Sequence, residues 1–141
     1  ALYPLRHPRA IPVLASMVAA GAGWVRGVEG LSSLEPGATL AVPGSPRVVA
    51  TYGHTFGHCS LHLPDRDAVL SGDALVTLDP YTGRTGPRII AGAATADSSM
   101  ALASLEQIAA TGATRVLPGH GDPWHEGVES AVRRAHSNGR A

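Results

Sequence analysis

The sequence predicts an α+β domain in which short strands form a mixed sheet with helices against one face. Short apolar runs, separated by Pro-Gly or Asp-rich turns, occupy the middle of the chain, and two stretches with helical spacing follow. An apolar content of 44% with 16% charged residues is that of a globular protein. The order of strands, helix, strand and helix is typical of a sheet whose helices cover its outer face.

The first predicted element is a helix over residues 8–20, with apolar residues at helical spacing and Gly21 and Gly23 at its end. A signal-peptide remnant is the alternative interpretation of this apolar stretch. Residues 24–37 are interpreted as a linker that ends in a Pro-Gly turn. The chain is therefore interpreted as one partial domain, with a helix and linker region over 1–37 and the sheet and helices over 38–141.

Five runs in the middle and later parts of the chain have the composition of strands, and turn residues separate them. They cover residues 39–42, 47–51, 58–63, 68–71 and 114–117. The segment 63–67 contains Pro and two Asp residues and predicts a hairpin turn. Residues 74–96 are rich in Gly and Thr and predict a long loop.

Two helices are predicted in the C-terminal part. Asp97 is the expected N-cap of the first, which ends at Gly112, because Asp caps a helix start and Gly ends one. Asp122-Pro123 is expected to open the last helix, which ends at Gly139. The apolar face of this last helix consists of Val128, Ala131, Val132 and Ala135.

Three motifs place metal-binding side chains beside glycines. His58 ends Gly-His-Thr-Phe-Gly-His, Asp73 ends Ser-Gly-Asp, and His120 lies within Pro-Gly-His-Gly. Imidazole and carboxylate groups are ligands of zinc, and glycine allows backbone to come close to such a site. The separations of 15 and 47 residues are too long for a local zinc finger, so these ligands meet only if the tertiary fold brings them together.

In this order, the motifs resemble the C-terminal half of the metallo-β-lactamase fold hydrolases, which include glyoxalase II-like enzymes, over about residues 40–125. The resemblance implies a partial αββα sandwich and a centre of one or two zinc ions, or iron or manganese. It assigns His58 to the first metal, Asp73 to both and His120 to the second. The H-x-H-x-D-H signature, which supplies the other ligands of the family, is absent from this sequence.

The resemblance implies a hydrolase in which a metal-bound hydroxide, positioned by Asp73 as the catalytic carboxylate, attacks a small-molecule substrate. The bond would be an ester, thioester, lactone, amide or phosphoester. Two alternatives stay open: a mononuclear iron enzyme of the persulfide dioxygenase kind, and a truncated, non-catalytic remnant that binds metal weakly. Because the signature is missing, we expect the isolated chain to be a poor catalyst.

Other residues receive supporting roles. His54 is expected to hold the turn around the metal site by hydrogen bonds, without binding the metal itself. The loop over 79–88 is expected to carry Tyr81, Arg84 and Arg88 to the mouth of the site. An arginine there would bind a carboxylate or phosphate group of the substrate.

Composition limits the partners. Eleven basic and 11 acidic residues give a formal net charge of zero, which offers no electrostatic case for nucleic acid or a membrane surface. No apolar run approaches the ~20 residues of a membrane span, and we expect a cytoplasmic location. Half of a sandwich leaves one sheet face uncovered, so we also expect association through that face.

Overall fold

A computed structural model describes residues 11–139, and the chain divides into two compact units, Ala1–Ser33 and Leu34–Ala141. The first unit contains helix α1, Ile11–Ala19, and a 3-10 turn, Ala22–Trp24. The helix predicted over 8–20 is therefore confirmed where it is described, while residues 8–10 lie outside the described part of the chain.

The second unit holds the sheet and two helices. Its strands are β1 Arg47–Ala50, β2 Cys59–Leu63, β3 Ala68–Gly72, β4 Val76–Leu78, β5 Thr85–Arg88 and β6 Arg115–Pro118. Its helices are α2 Ser98–Ala109 and α3 Val128–Asn138.

Four of these strands form one mixed sheet in the order β1-β2-β3-β6. The first three are antiparallel to their neighbours, and β3 runs parallel to β6. The 3-10 turn Pro64–Arg66 joins β2 to β3, as the hairpin prediction requires. The mixed sheet with flanking helices confirms the predicted α+β class and the partial sandwich.

One face of the sheet is buried against α2 and α3, and the other face is more open. Val69 is 0% exposed and belongs to the core, whereas the next residue, Leu70, is 38% exposed. Successive strand residues point to opposite faces, so Leu70 lies on the open face. The register aligns it with Leu61 on β2 and Leu117 on β6. An apolar row therefore crosses the open face.

The predicted long loop over 74–96 is wrong. Strands β4 and β5 pair in an antiparallel hairpin, and Leu75, Ile89 and Ile90 beside them are each 1% exposed. Of the Gly and Thr residues that suggested a loop, Thr77, Thr85 and Gly86 belong to the short, irregular strands, and Thr82 and Gly83 to the turn between them. Burial of the flanking apolar residues orders a segment whose own composition is poor in strand formers.

Two further boundaries differ from the predictions. The strand expected over 39–42 is limited to a bridge between Thr39 and Arg47. The last helix begins at Val128, later than predicted, because Trp124 and Val116 exchange two backbone hydrogen bonds of 2.9 Å and hold the preceding chain extended. Tertiary pairing thus overrides the local signal of Asp122-Pro123.

The N-cap of α2 and the apolar face of α3 agree with the sequence predictions. The Asp97 carboxylate accepts hydrogen bonds from the backbone N–H groups of Ser99 and Met100, which confirms it as the N-cap of α2. The predicted apolar face of α3 is buried, and Gly139 ends that helix. Within the described residues, no helix is long and apolar enough to cross a membrane.

Candidate metal centre

The strand topology brings all three predicted ligand motifs to one edge of the sheet. Parallel strands β3 and β6 end together, with Gly72 paired to Pro118. Asp73 follows the first of these ends directly, and His120 follows the second by two residues. The loop over 51–58, between antiparallel β1 and β2, opens at the same edge.

Asp73 lies between two histidines. Nε2 of His54 is 3.6 Å from Oδ2 of Asp73, and Nε2 of His120 is 3.6 Å from Oδ1. The side chains are 16% exposed at His54, 31% at Asp73 and 44% at His120. The cluster therefore opens to solvent on the His120 side.

His58 makes different contacts, with protein partners at both ring nitrogens. The backbone N–H of Asp73 donates to Nε2 of His58 at 3.2 Å, so Nδ1 carries the proton and donates to Thr51 Oγ1 at 2.9 Å. The Thr51 hydroxyl donates in turn to Ser60, whose hydroxyl donates to the carbonyl of Ser71. This chain of hydrogen bonds fixes the ring of His58.

Burial favours the neutral form of His58. Loss of solvation lowers the pKa of its imidazole below the ordinary value, repulsion from His54 lowers it further, and Asp73 opposes both effects. A neutral ring is what the network requires, because Nε2 accepts a hydrogen bond.

Two glycines make the close contacts around Asp73 possible. A Cβ on Gly119 would overlap Oδ1 of Asp73. A Cβ on Gly72, which has a φ of +52°, would lie 3.0 Å from Nε2 of His58. The expectation that glycines let the backbone approach this site is therefore met at both positions.

The loop that carries His54 is fixed on the start of α2. The carbonyl of Gly53 accepts from the N–H of Asp97 at 2.9 Å, and that of His54 accepts from Ala96 at 3.0 Å. Gly53, with a φ of +129°, packs against Ala101 so closely that a Cβ would overlap its backbone. Nδ1 of His54 is buried with no hydrogen-bond partner among the described residues. The other ring nitrogen, Nε2, faces the Asp73 carboxylate.

The donor set fits a borderline divalent ion. Two ligand atoms, each ~2.0–2.1 Å from a tetrahedral zinc ion, are about 3.3 Å apart, close to the 3.6 Å between Asp73 and each histidine. Over residues 11–139, however, no three His, Cys, Asp or Glu side chains converge in a geometry that would hold an ion. The side chains supply two suitable pairs that share Asp73, and three-fold coordination would require these side chains to move.

The three predicted substrate-binding residues differ in their burial and in their hydrogen-bond partners. Arg88 is 8% exposed, and its guanidinium donates to the carbonyls of Gly86 and Thr85, so it stabilises its own turn. Arg84 is exposed, and Tyr81 is partly buried with its N–H bonded to the Asp79 carboxylate. Within the described part of the chain, no hydrogen bond or ion pair joins Tyr81, Arg84 or Arg88 to Asp73.

The sequence contained no clear signal for the position of His54. Both His54 and His58 follow a glycine in the same motif, and a pattern of residue types gives them equal weight. The hydrogen bonds of His58 to Thr51 and Asp73 distinguish the two, and they exist only in the folded chain.

Comparisons with known proteins agree with the fold. The family model described as the metallo-beta-lactamase superfamily matches residues 6–120. A curated relative, the beta-lactamase-like protein 2 homolog of Caenorhabditis elegans, is 33% identical over 104 residues, which is 73% of this chain and 31% of the relative.

Solved structures give the same result. A metallo-beta-lactamase family protein from Thermus thermophilus is 25% identical, with a TM-score of 0.57, over 92% of this chain and 45% of that protein. A protein solved in a di-iron-bound form is 26% identical, with a TM-score of 0.55, over 88% of this chain and 60% of that one.

The chain thus spans about a third of the curated relative and about half of these structural neighbours. The family match extends through the Asp73 and His120 motifs, which the fold brings to one sheet edge. On this evidence the chain belongs to the metallo-beta-lactamase superfamily.

Proposed function

We propose that this chain provides metal-binding residues of a metal-dependent hydrolase, in which His54, Asp73 and His120 bind a divalent ion. The proposal gives His54 the direct role that the sequence interpretation gave to His58. The observation that carries it is the pair of 3.6 Å separations from Nε2 of His54 and of His120 to the two oxygens of Asp73. Zinc is the first candidate, with iron and manganese as alternatives.

A bound divalent ion would supply an acidified water at neutral pH and polarise the bond to be hydrolysed. Asp73 orients the centre through its two oxygens, each of which faces one histidine. His58 acts as a positioning residue, because its Nε2 accepts the hydrogen bond from the Asp73 backbone. The more exposed His120 borders the side from which substrate approaches.

The reaction class is hydrolysis of an ester, thioester, lactone, amide or phosphoester. The family membership supports a hydrolase fold, and the open side at His120 supports access for a small molecule. The test is to titrate the purified chain with zinc, iron(II) or manganese and to assay each loaded form on esters, thioesters and lactones. Stoichiometric binding that requires Asp73 supports the proposal, and absence of metal binding overturns it.

The main competing function is a non-catalytic module that binds metal weakly. The observation that favours it is the lack of a converged three-ligand group within residues 11–139. A catalytic zinc ion generally has three protein ligands and an open position. Weak metal binding with no turnover in every loaded form would favour this module, whereas turnover by the iron form on a persulfide would favour the oxygenase alternative.

A further inference from the structure

A cleft of about 400 Å³ lies beside the loop that follows β6. Eight described residues line it, of which Leu78, Pro123 and Trp124 provide the large apolar side chains. Its volume falls in the range of small-molecule sites, which are mostly apolar with a few polar groups. The remaining lining residues are Thr77, Thr85, Gly86, Gly121 and Asp122.

The His120 loop lies between the cleft and the candidate metal centre and contacts both. On one side of this loop, Gly119 packs against Oδ1 of Asp73. On the other side, Gly121 packs against Thr77, a residue of the cleft wall. The Cα atoms of residues 120 and 122 are at most about 7 Å apart, so a group extending past His120 reaches the cleft within a short distance.

The walls of the cleft are held in place by specific contacts. The Thr77 hydroxyl donates to the carbonyl of Asp122 at 2.6 Å, which ties β4 to the loop. Nε1 of Trp124 donates to Ser130 at 2.8 Å, and the Arg134 guanidinium lies 4.8 Å from the centre of the indole ring. A wall ordered before binding reduces the entropy lost when a ligand enters.

The charge of the cleft selects among ligands. Of the eight described residues that line it, Asp122 is the one with a formal charge, and it is negative. The Arg134 guanidinium beside Trp124 is paired with the Glu126 carboxylate at 3.5 Å, so Asp122 supplies the unpaired charge at the cleft. An anionic group would be repelled, whereas an uncharged alkyl or aryl group would bury its surface against Leu78 and Trp124.

We propose that this cleft, defined by Leu78, Pro123 and Trp124, binds the uncharged apolar arm of the substrate whose scissile bond lies at Asp73 and His120. The inference rests on the proposed hydrolase function for the position of the scissile bond. The binding of an apolar group to the cleft itself does not require a metal. The expected substrates are therefore esters or thioesters with an aliphatic or aryl arm, in preference to acidic substrates.

The test uses Trp124 as a fluorescent reporter in the full chain without metal. Trp24→Phe removes the other tryptophan, which belongs to the other compact unit. The probes are primary alcohols from butanol to octanol, which are uncharged and cannot be hydrolysed, together with hexanoate as the anionic comparison. Leu78→Ser tests the cleft, and Val42→Ser is the control, because Val42 is also an exposed apolar residue, at 51%, and does not line the cleft.

We expect saturable changes in Trp124 emission and affinity that rises by up to about fourfold per added methylene. Leu78→Ser should weaken hexanol binding about fivefold or more, Val42→Ser should not, and hexanoate should bind less well than hexanol. Equal effects of the two substitutions, or no saturable change with any alcohol, would overturn the inference. Alcohol binding without zinc binding would reject the proposed hydrolase function while the binding of apolar groups in the cleft stands, so the two failures are distinguishable.

Discussion

The backbone N–H of Asp73 donates a hydrogen bond to Nε2 of His58, 15 residues earlier in the chain, at 3.2 Å. This bond engages the ring nitrogen that would otherwise be free to bind an ion. It also fixes the backbone from which the Asp73 carboxylate extends toward His54 and His120. The two histidines of the Gly-His-Thr-Phe-Gly-His motif therefore make different contacts with Asp73: His54 faces its carboxylate, and His58 accepts from its backbone N–H.

Separate alanine substitutions distinguish the metal-binding role proposed for His54 from the positioning role proposed for His58. His54→Ala should reduce zinc affinity at least about 100-fold and retain the fold, because it removes a side chain that faces the carboxylate. His58→Ala should reduce affinity by ~10-fold and lower the free energy of unfolding by about 1–3 kcal/mol, because it leaves Thr51 and the Asp73 N–H without their partner. Isothermal titration with zinc and urea unfolding measure the two effects. A larger loss of zinc affinity in His58→Ala than in His54→Ala would contradict the proposal that His54 binds the ion and His58 positions Asp73.

Asp73→Ala should abolish stoichiometric zinc binding and any hydrolysis while circular dichroism stays that of the parent chain. The reason is that both 3.6 Å separations in the cluster involve its carboxylate. Asp65→Ala is the matched control, since it removes an exposed carboxylate from the turn between β2 and β3. Full zinc loading and turnover by Asp73→Ala would show that the carboxylate has no part in the site.

Gly119→Ala tests the close contact beside the carboxylate. The added Cβ would overlap Oδ1 of Asp73 and crowd the backbone of Gly72, so we expect a loss of about 1–3 kcal/mol in the free energy of unfolding, together with weaker zinc binding. Gly57→Ala is the control, because a Cβ there meets no atom within 4 Å. Thermal unfolding and zinc titration of both variants give the comparison, and equal behaviour would argue against a sterically fixed Asp73.

The pH dependence of stability should report on Asp67. Its carboxylate accepts hydrogen bonds from the hydroxyl and the N–H of Thr114, and these bonds lower the pKa of Asp67 in the folded state. A lowered folded pKa means that this stabilisation is complete above the ordinary value and is lost as the pH falls through the folded value.

Asp67→Asn isolates this effect, because Asn tolerates the φ of 47° found at that position. The parent chain should be more stable than the variant near neutral pH, and the difference should shrink as the pH is lowered below about 4. Urea unfolding at several pH values measures it, with Asp65→Asn as a control that should change the profile less. A difference in the free energy of unfolding that is constant with pH would contradict the proposed stabilisation by the Asp67 carboxylate.

We propose that the open face of the sheet mediates association, as expected for an uncovered apolar sheet surface. Leu70 lies on a central strand and is 38% exposed, while its neighbour Val69 is fully buried on the opposite face. Leu70→Thr should lower the apparent mass in sedimentation velocity at a given concentration, because Thr keeps strand propensity and reduces the apolar surface. Val42→Thr, an exposed apolar position outside the sheet strands, should leave the mass unchanged. A parent chain that is monomeric at all concentrations would contradict the proposal.

Much of the fold could be predicted because its signals are local. The Asp97 cap, the apolar face of α3 and the turn between β2 and β3 depend on residues a few positions apart. The convergence of Asp73 and His120 also followed from sequence, since both motifs come just after strand-type runs. Strand ends that lie at one sheet edge bring such motifs together.

Only the tertiary structure decided how several segments with weak or misleading local signals are arranged. The β4–β5 hairpin orders a segment of weak strand composition because Leu75, Ile89 and Ile90 are buried beside it. The late start of α3 depends on Trp124 pairing with Val116. The different roles that we propose for His54 and His58 rest on hydrogen bonds from residues distant in sequence, which form only in the folded chain. The kinds of chemical group near Asp73 are already present in the sequence motifs.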